Sequence, residues 1–188
     1  IAGTYGAFGG TDGIGAAARF AGPRGIWGDS NHLYISDTFT VRRLEIATND
    51  VVTIAGLFPS ASIVDGIGSA ARFRDVLGIT GDSSYLWVSD SGICMRRIHK
   101  TTMNVTTVAG SMIVGDYGDS DGNGLYARFN GIQGLTNSTD YVYACDASNS
   151  AIRRISKSTN DVSFFVGNSS ITGNQDGILL SILSGPSG

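Results

Sequence analysis

The chain repeats itself at intervals of 53 to 57 residues, and a period of that length limits what it can fold into. Ile1-Ala2-Gly3 recurs as Ile54-Ala55-Gly56, Val108-Ala109-Gly110 and Val166-Gly167. Asp12-Gly13-Ile14-Gly15 recurs as Asp65-Gly66-Ile67-Gly68 and Asp121-Gly122-Asn123-Gly124, each followed by an Arg-Phe pair: Arg19-Phe20, Arg72-Phe73 and Arg128-Phe129. Gly25-Ile26, Gly78-Ile79 and Gly134-Leu135 come next. An apolar run closed by Asp37, Asp90 or Asp146 follows, then Arg42-Arg43, Arg96-Arg97 or Arg153-Arg154, then a β-branched run. The repeats span residues 1–56, 54–110 and 108–167, with an incomplete fourth over 166–188 that begins at Asp176-Gly177.

Each unit holds four short segments rich in Val, Ile, Leu, Tyr, Trp and Thr, separated by Gly, Asp, Asn and Ser, which reads as strand, turn, strand. No window sustains a helical apolar period. Four strands per unit predict one antiparallel sheet with two apolar faces, and such sheets bury both faces by stacking on one another. The fold class is therefore all-β: a β-propeller of four-stranded blades, three complete and a fourth begun.

The Gly-Ile segment, the Leu33-Tyr34-Ile35-Ser36-Asp37 run and the Val41-Arg42-Arg43-Leu44 run resemble those of the NHL-repeat β-propellers. The Asp-Gly-x-Gly…Ala-Arg-Phe insert resembles the long-repeat, extracellular variety. The resemblance covers essentially the whole chain and implies closure with about six blades. Three and a fraction blades leave open sheet edges, which other blades of a longer parent chain, or further copies, would cover.

Composition narrows the function classes. The net charge is −3, and 11 of the 13 basic residues are Arg, nine of them at repeat positions, so nothing marks a nucleic-acid surface. No apolar stretch approaches bilayer length, so no membrane insertion is expected in this segment. His32 and His99 are too few for a three-His zinc site, and Glu45 is the only Glu.

The candidate sites are those that break the repeat. The repeating Asp and Arg residues are expected to pair with each other and to hold turns. Asp119, Asp121 and Asn123 match the opening of a calcium loop, although Asn130 stands where the bidentate Glu belongs; an ordinary Gly-rich turn is the favoured reading. Asn104, Asn137 and Asn168 head N-x-S/T sequons in segments expected to face solvent. Cys94 and Cys145 fall near one end of neighbouring blades, which makes a disulfide between them a candidate. Catalytic residues and cofactors are not expected.

Together these features point to an extracellular or cell-surface scaffold or adhesion propeller. It would carry glycan and belong to a larger surface protein or filament, with protein or glycan partners including copies of itself. The alternative is a propeller enzyme of lyase or lactonase type whose ligands lie in other blades.

Overall fold

The computed structural model describes residues 1–167; the Asn168 sequon and the fourth repeat beyond Gly167 lie outside them. The first sheet comprises β1 (Gly13–Ile14), β2 (Pro23–Gly28), β3 (His32–Asp37), β4 (Thr40–Glu45) and β5 (Asp50–Gly56). The second comprises β6 (Gly66–Ile67), β7 (Val76–Gly81), β8 (Tyr85–Asp90), β9 (Cys94–His99) and β10 (Asn104–Gly110). The third comprises β11 (Gly122–Asn123), β12 (Ile132–Asn137), β13 (Tyr141–Asp146), β14 (Ala151–Ser156) and β15 (Asp161–Gly167).

All three sheets are antiparallel with one topology, β1-β5-β4-β3-β2 in the first. Each therefore has five strands, not the four expected. The extra strand is the Asp-Gly-x-Gly insert, two residues long, which pairs outside the last long strand: Gly13 faces Val51 and Ile14 faces Asp50. A strand that short carries no alternation, so only the Asp before it betrays its place. Among the described residues the sheets do not close on themselves.

Alternation along the strands sends apolar residues to both faces. Tyr34, Val41 and Ile54 of the first sheet pack on Phe73, Ile79, Leu86, Val88, Ile98 and Val105 of the second. Trp87, Met95 and Val108 then meet Phe129, Val142, Ala144, Ile155 and Val162 of the third. Strand β7 runs between β2 of the first sheet and β12 of the third. The Gly-Ile motif permits that approach: a Cβ on Gly25 would lie 2.8 Å from the Leu77 carbonyl oxygen, and one on Gly78 would strike that of Gln133. Ser36 Oγ donates across the same boundary to the Leu77 carbonyl at 2.6 Å.

Candidate functional site

The repeating charges form one buried knot per sheet. Arg42 Nη1 donates to Asp37 Oδ2 at 3.1 Å and to the Arg19 carbonyl, while Nη2 donates to Asp12 Oδ1 at 2.8 Å. Asp37 Oδ1 accepts from the backbone N–H groups of Ala21 and Gly22. Asp12 Oδ2 accepts from the N–H of Thr53 and so fixes the outer strand. Arg96 with Asp90 and Asp65, and Arg153 with Asp146 and Asp121, repeat the arrangement. Each guanidinium sits over a ring, of Phe20, Phe73 or Phe129, at 5.3, 4.8 and 5.3 Å. Both terminal nitrogens of each guanidinium are hydrogen-bonded, while the Nε of Arg42, Arg96 and Arg153 is buried without a partner among the described residues. A buried charge pair bonded through both Nη groups specifies the local geometry. These residues hold the fold together.

That assignment absorbs most of the calcium-loop candidate. Asp121 gives one oxygen to Arg153 and the other to the N–H of Phe164. Asn123 Nδ2 donates to Asp161 and to the Thr159 carbonyl. Asp119 is exposed, and among the described residues no group of three His, Cys, Asp or Glu converges.

The candidate Cys94–Cys145 disulfide is not formed; both thiols are free. Cys94 opens β9 and is fully buried, and burial pushes its thiol pKa up. Cys145 occupies the position of Ser36 and Ser89, which points to the next sheet in sequence, and so is exposed on the far face of the third sheet beside Tyr143, Ile152 and Phe165. The two cysteines lie on neighbouring sheets and project to different sides.

Of the two described sequons, only Asn104 faces solvent. Asn137, expected to do so, is half-buried and spans a sheet boundary. Its Nδ2 donates to Thr80 Oγ1 at 2.8 Å and to the Gly81 carbonyl at 3.0 Å, and its Oδ1 accepts from Lys157 Nζ at 2.9 Å. Gly81 O can only accept and Lys157 can only donate, so this amide orientation is dictated by its partners.

Lys157 belongs to a device missed in the sequence. Lys100 Nζ reaches from the second sheet to Asp29 of the first at 2.7 Å and lies over the rings of Trp27 and Tyr34. Lys157 Nζ reaches from the third sheet to Asp82 of the second at 3.0 Å, over Trp87 at 4.5 Å. Burial alone would raise the carboxyl of Asp82. The N–H groups of Ser84 and Tyr85 and the ammonium of Lys157 outweigh it and hold the pKa below the ordinary range. Asp29 behaves likewise, held well below by Lys100 and the N–H groups of Asn31 and His32. The available signal was that the only two lysines in the chain occupy one repeat position.

Polar residues that vary between the repeats also meet along β2, β7 and β12. A groove of about 590 Å³ opens over β2, β7 and β12, lined by Arg24, Asp75, Leu77, Ser91 and Gln133 around the Gly25, Gly78 and Gly134 backbone. Arg24, Leu77 and Gln133 share one repeat position, while Asp75 replaces Gly22 and Gly131. Arg24 Nη1 lies 3.3 Å from Asp75 Oδ2. Burial raises the Asp75 carboxyl pKa, and Arg24 opposes the rise. Asp75 Oδ1 and Ser91 Oγ are buried without a hydrogen-bond partner. The histidines lie elsewhere: His32 is held by Glu45, and His99 accepts from Thr101 and Thr102 N–H. The groove offers a cation, a carboxylate and an amide, a set suited to orienting a polar ligand.

No protein-family model and no curated protein matches the chain. Solved structures share its fold. An auxiliary nutrient binding protein of Bacteroides thetaiotaomicron superposes with a TM-score of 0.60 at 20% identity, over 74% of this chain and 36% of that one. A phosphatase candidate of the same organism gives 0.57 at 19% identity, over 76% and 35%. The extracellular domain of a candidate hybrid two-component system from B. thetaiotaomicron gives 0.53 at 12% identity, over 81% and 19%. The chain spans about a third of the first two and a fifth of the last. At such identities the likeness is one of fold.

Proposed function

We propose that the chain is a segment of an NHL-type β-propeller that acts outside the cell or at its surface as a binding scaffold, not as an enzyme. It would belong to a larger surface protein or filament, with glycan or protein partners. One observation carries this reading: every sheet keeps the same Arg-Asp-Phe knot, while polar residues that differ between sheets line the groove over β2, β7 and β12. A scaffold held constant beneath a variable polar groove suits a recognition module. The auxiliary nutrient binding protein and the extracellular domain that share the fold accord with it. The test is a screen of the purified chain against neutral and acidic oligosaccharides immobilised on a surface. Binding that falls at least tenfold in Arg24→Ala and Asp75→Ala supports the reading. Binding to no sugar, or binding indifferent to both substitutions, overturns the groove as the site.

A further inference from the structure

The two described sequons have the same local grammar and opposite surroundings. Asn104 is the exposed first residue of β10, and Thr106, two residues on, projects from the same face of the strand. None of its side-chain atoms takes part in a hydrogen bond among the described residues. Asn137 has both amide hydrogens and its carbonyl oxygen engaged across the boundary between the second and third sheets.

We propose that Asn104 is a glycan acceptor of the folded chain and that Asn137, despite its sequon, is an unmodified structural clamp. Transfer joins the anomeric carbon of a lipid-pyrophosphate oligosaccharide to Nδ2. The carbon–oxygen bond to pyrophosphate breaks, the carbon–nitrogen bond forms, Nδ2 gives up one proton, and the lipid pyrophosphate leaves. At Asn104 this consumes a hydrogen that no partner uses, and the sugar extends into solvent. At Asn137 it removes a donor from Thr80 or Gly81 and sets a sugar ring into a boundary where Thr80 is 3% exposed. Glycan and boundary exclude one another there.

The relevance of this assignment in the native cell rests on the extracellular reading above; the acceptor chemistry does not. The full chain, secreted from a glycosylating eukaryotic host, would be mapped peptide by peptide after enzymatic release of glycan in ¹⁸O-water, which reads Asn168 separately. Asn104 should be occupied and Asn137 bare. Asn104→Gln should remove one glycan mass. Thr139→Ala, which destroys the second sequon and spares the clamp, should leave both mass distribution and melting temperature unchanged apart from the substitution itself. Glycan on Asn137 in folded protein, or a bare Asn104, overturns the proposal. Fractionation of native cells tests location independently.

Discussion

The two sheet boundaries solve one packing problem with different residues. At each, a lysine reaches back to an aspartate in the preceding sheet and covers an aromatic ring. At the first, Trp27 fills the space beside the lysine, and the facing residue of the second sheet is Gly81. A Cβ on Gly81 would lie 2.9 Å from the Trp27 ring and 2.8 Å from Leu86. At the second, the residue equivalent to Trp27 is Thr80 and that equivalent to Gly81 is Asn137, which bonds to Thr80. One boundary pairs large with none; the other pairs small with medium and polar. The Asn of the sequon at residue 137 thus occupies a packing position at the second boundary.

A graded series of measurements would break or sharpen that comparison. The largest effect belongs to the knot both boundaries share. Arg96→Met strands the fully buried Asp90 carboxylate and should cost about 3–5 kcal/mol in denaturant unfolding, with both boundaries lost together. A loss under about 1 kcal/mol would show that the knot is dispensable. Next, Gly81→Ala should cost about 1–3 kcal/mol by overpacking Trp27. Combined with Trp27→Thr, the Gly81→Asn change should be better tolerated than alone, because it copies the second boundary onto the first; a double-mutant cycle without coupling would refute the exchange.

Asn137→Ala should cost about 1–2 kcal/mol, since Thr80 and the Gly81 carbonyl lose their donor while Lys157 keeps Asp82. Smallest are the lysines themselves. Lys100→Met and Lys157→Met should each lower stability by under about 1 kcal/mol, less at high salt. Asp29 and Asp82 have depressed pKa values in the fold. Their contribution is therefore present above the unfolded carboxyl range, about 4, and is lost as pH falls through the lower folded values. Melting curves from pH 7 downwards should show this acid loss in the parent and less of it in the lysine variants.

Most of the architecture was legible because each repeat restates it at fixed offsets. The Asp closing β3, β8 and β13 and the first Arg of each pair proved structural, as recurrence implied. The fifth strand was not legible, since two residues cannot display a period. The cysteines misled because proximity along the repeat says nothing about face: Cys145 sits at the serine position that addresses the following sheet, Cys94 at the start of the next strand. Asn137 misled because its partners, Thr80 and Gly81, are more than fifty residues away and carry no mark of it. The groove could not be read at all, because Arg24, Asp75 and Gln133 are dispersed over three repeats and meet only when β2, β7 and β12 lie side by side.

The reach of the lysines also sets an order of events during synthesis. Asp29 and the rings of Trp27 and Tyr34 wait for Lys100, 71 residues later. At a ribosomal rate of about 5–20 residues per second, that delay is on the order of 4–14 seconds. Through that interval the nascent first sheet carries an unneutralised carboxylate beside two uncovered rings. Each later sheet brings the lysine that covers its predecessor, so the ion pair of the first boundary becomes available one repeat before that of the second.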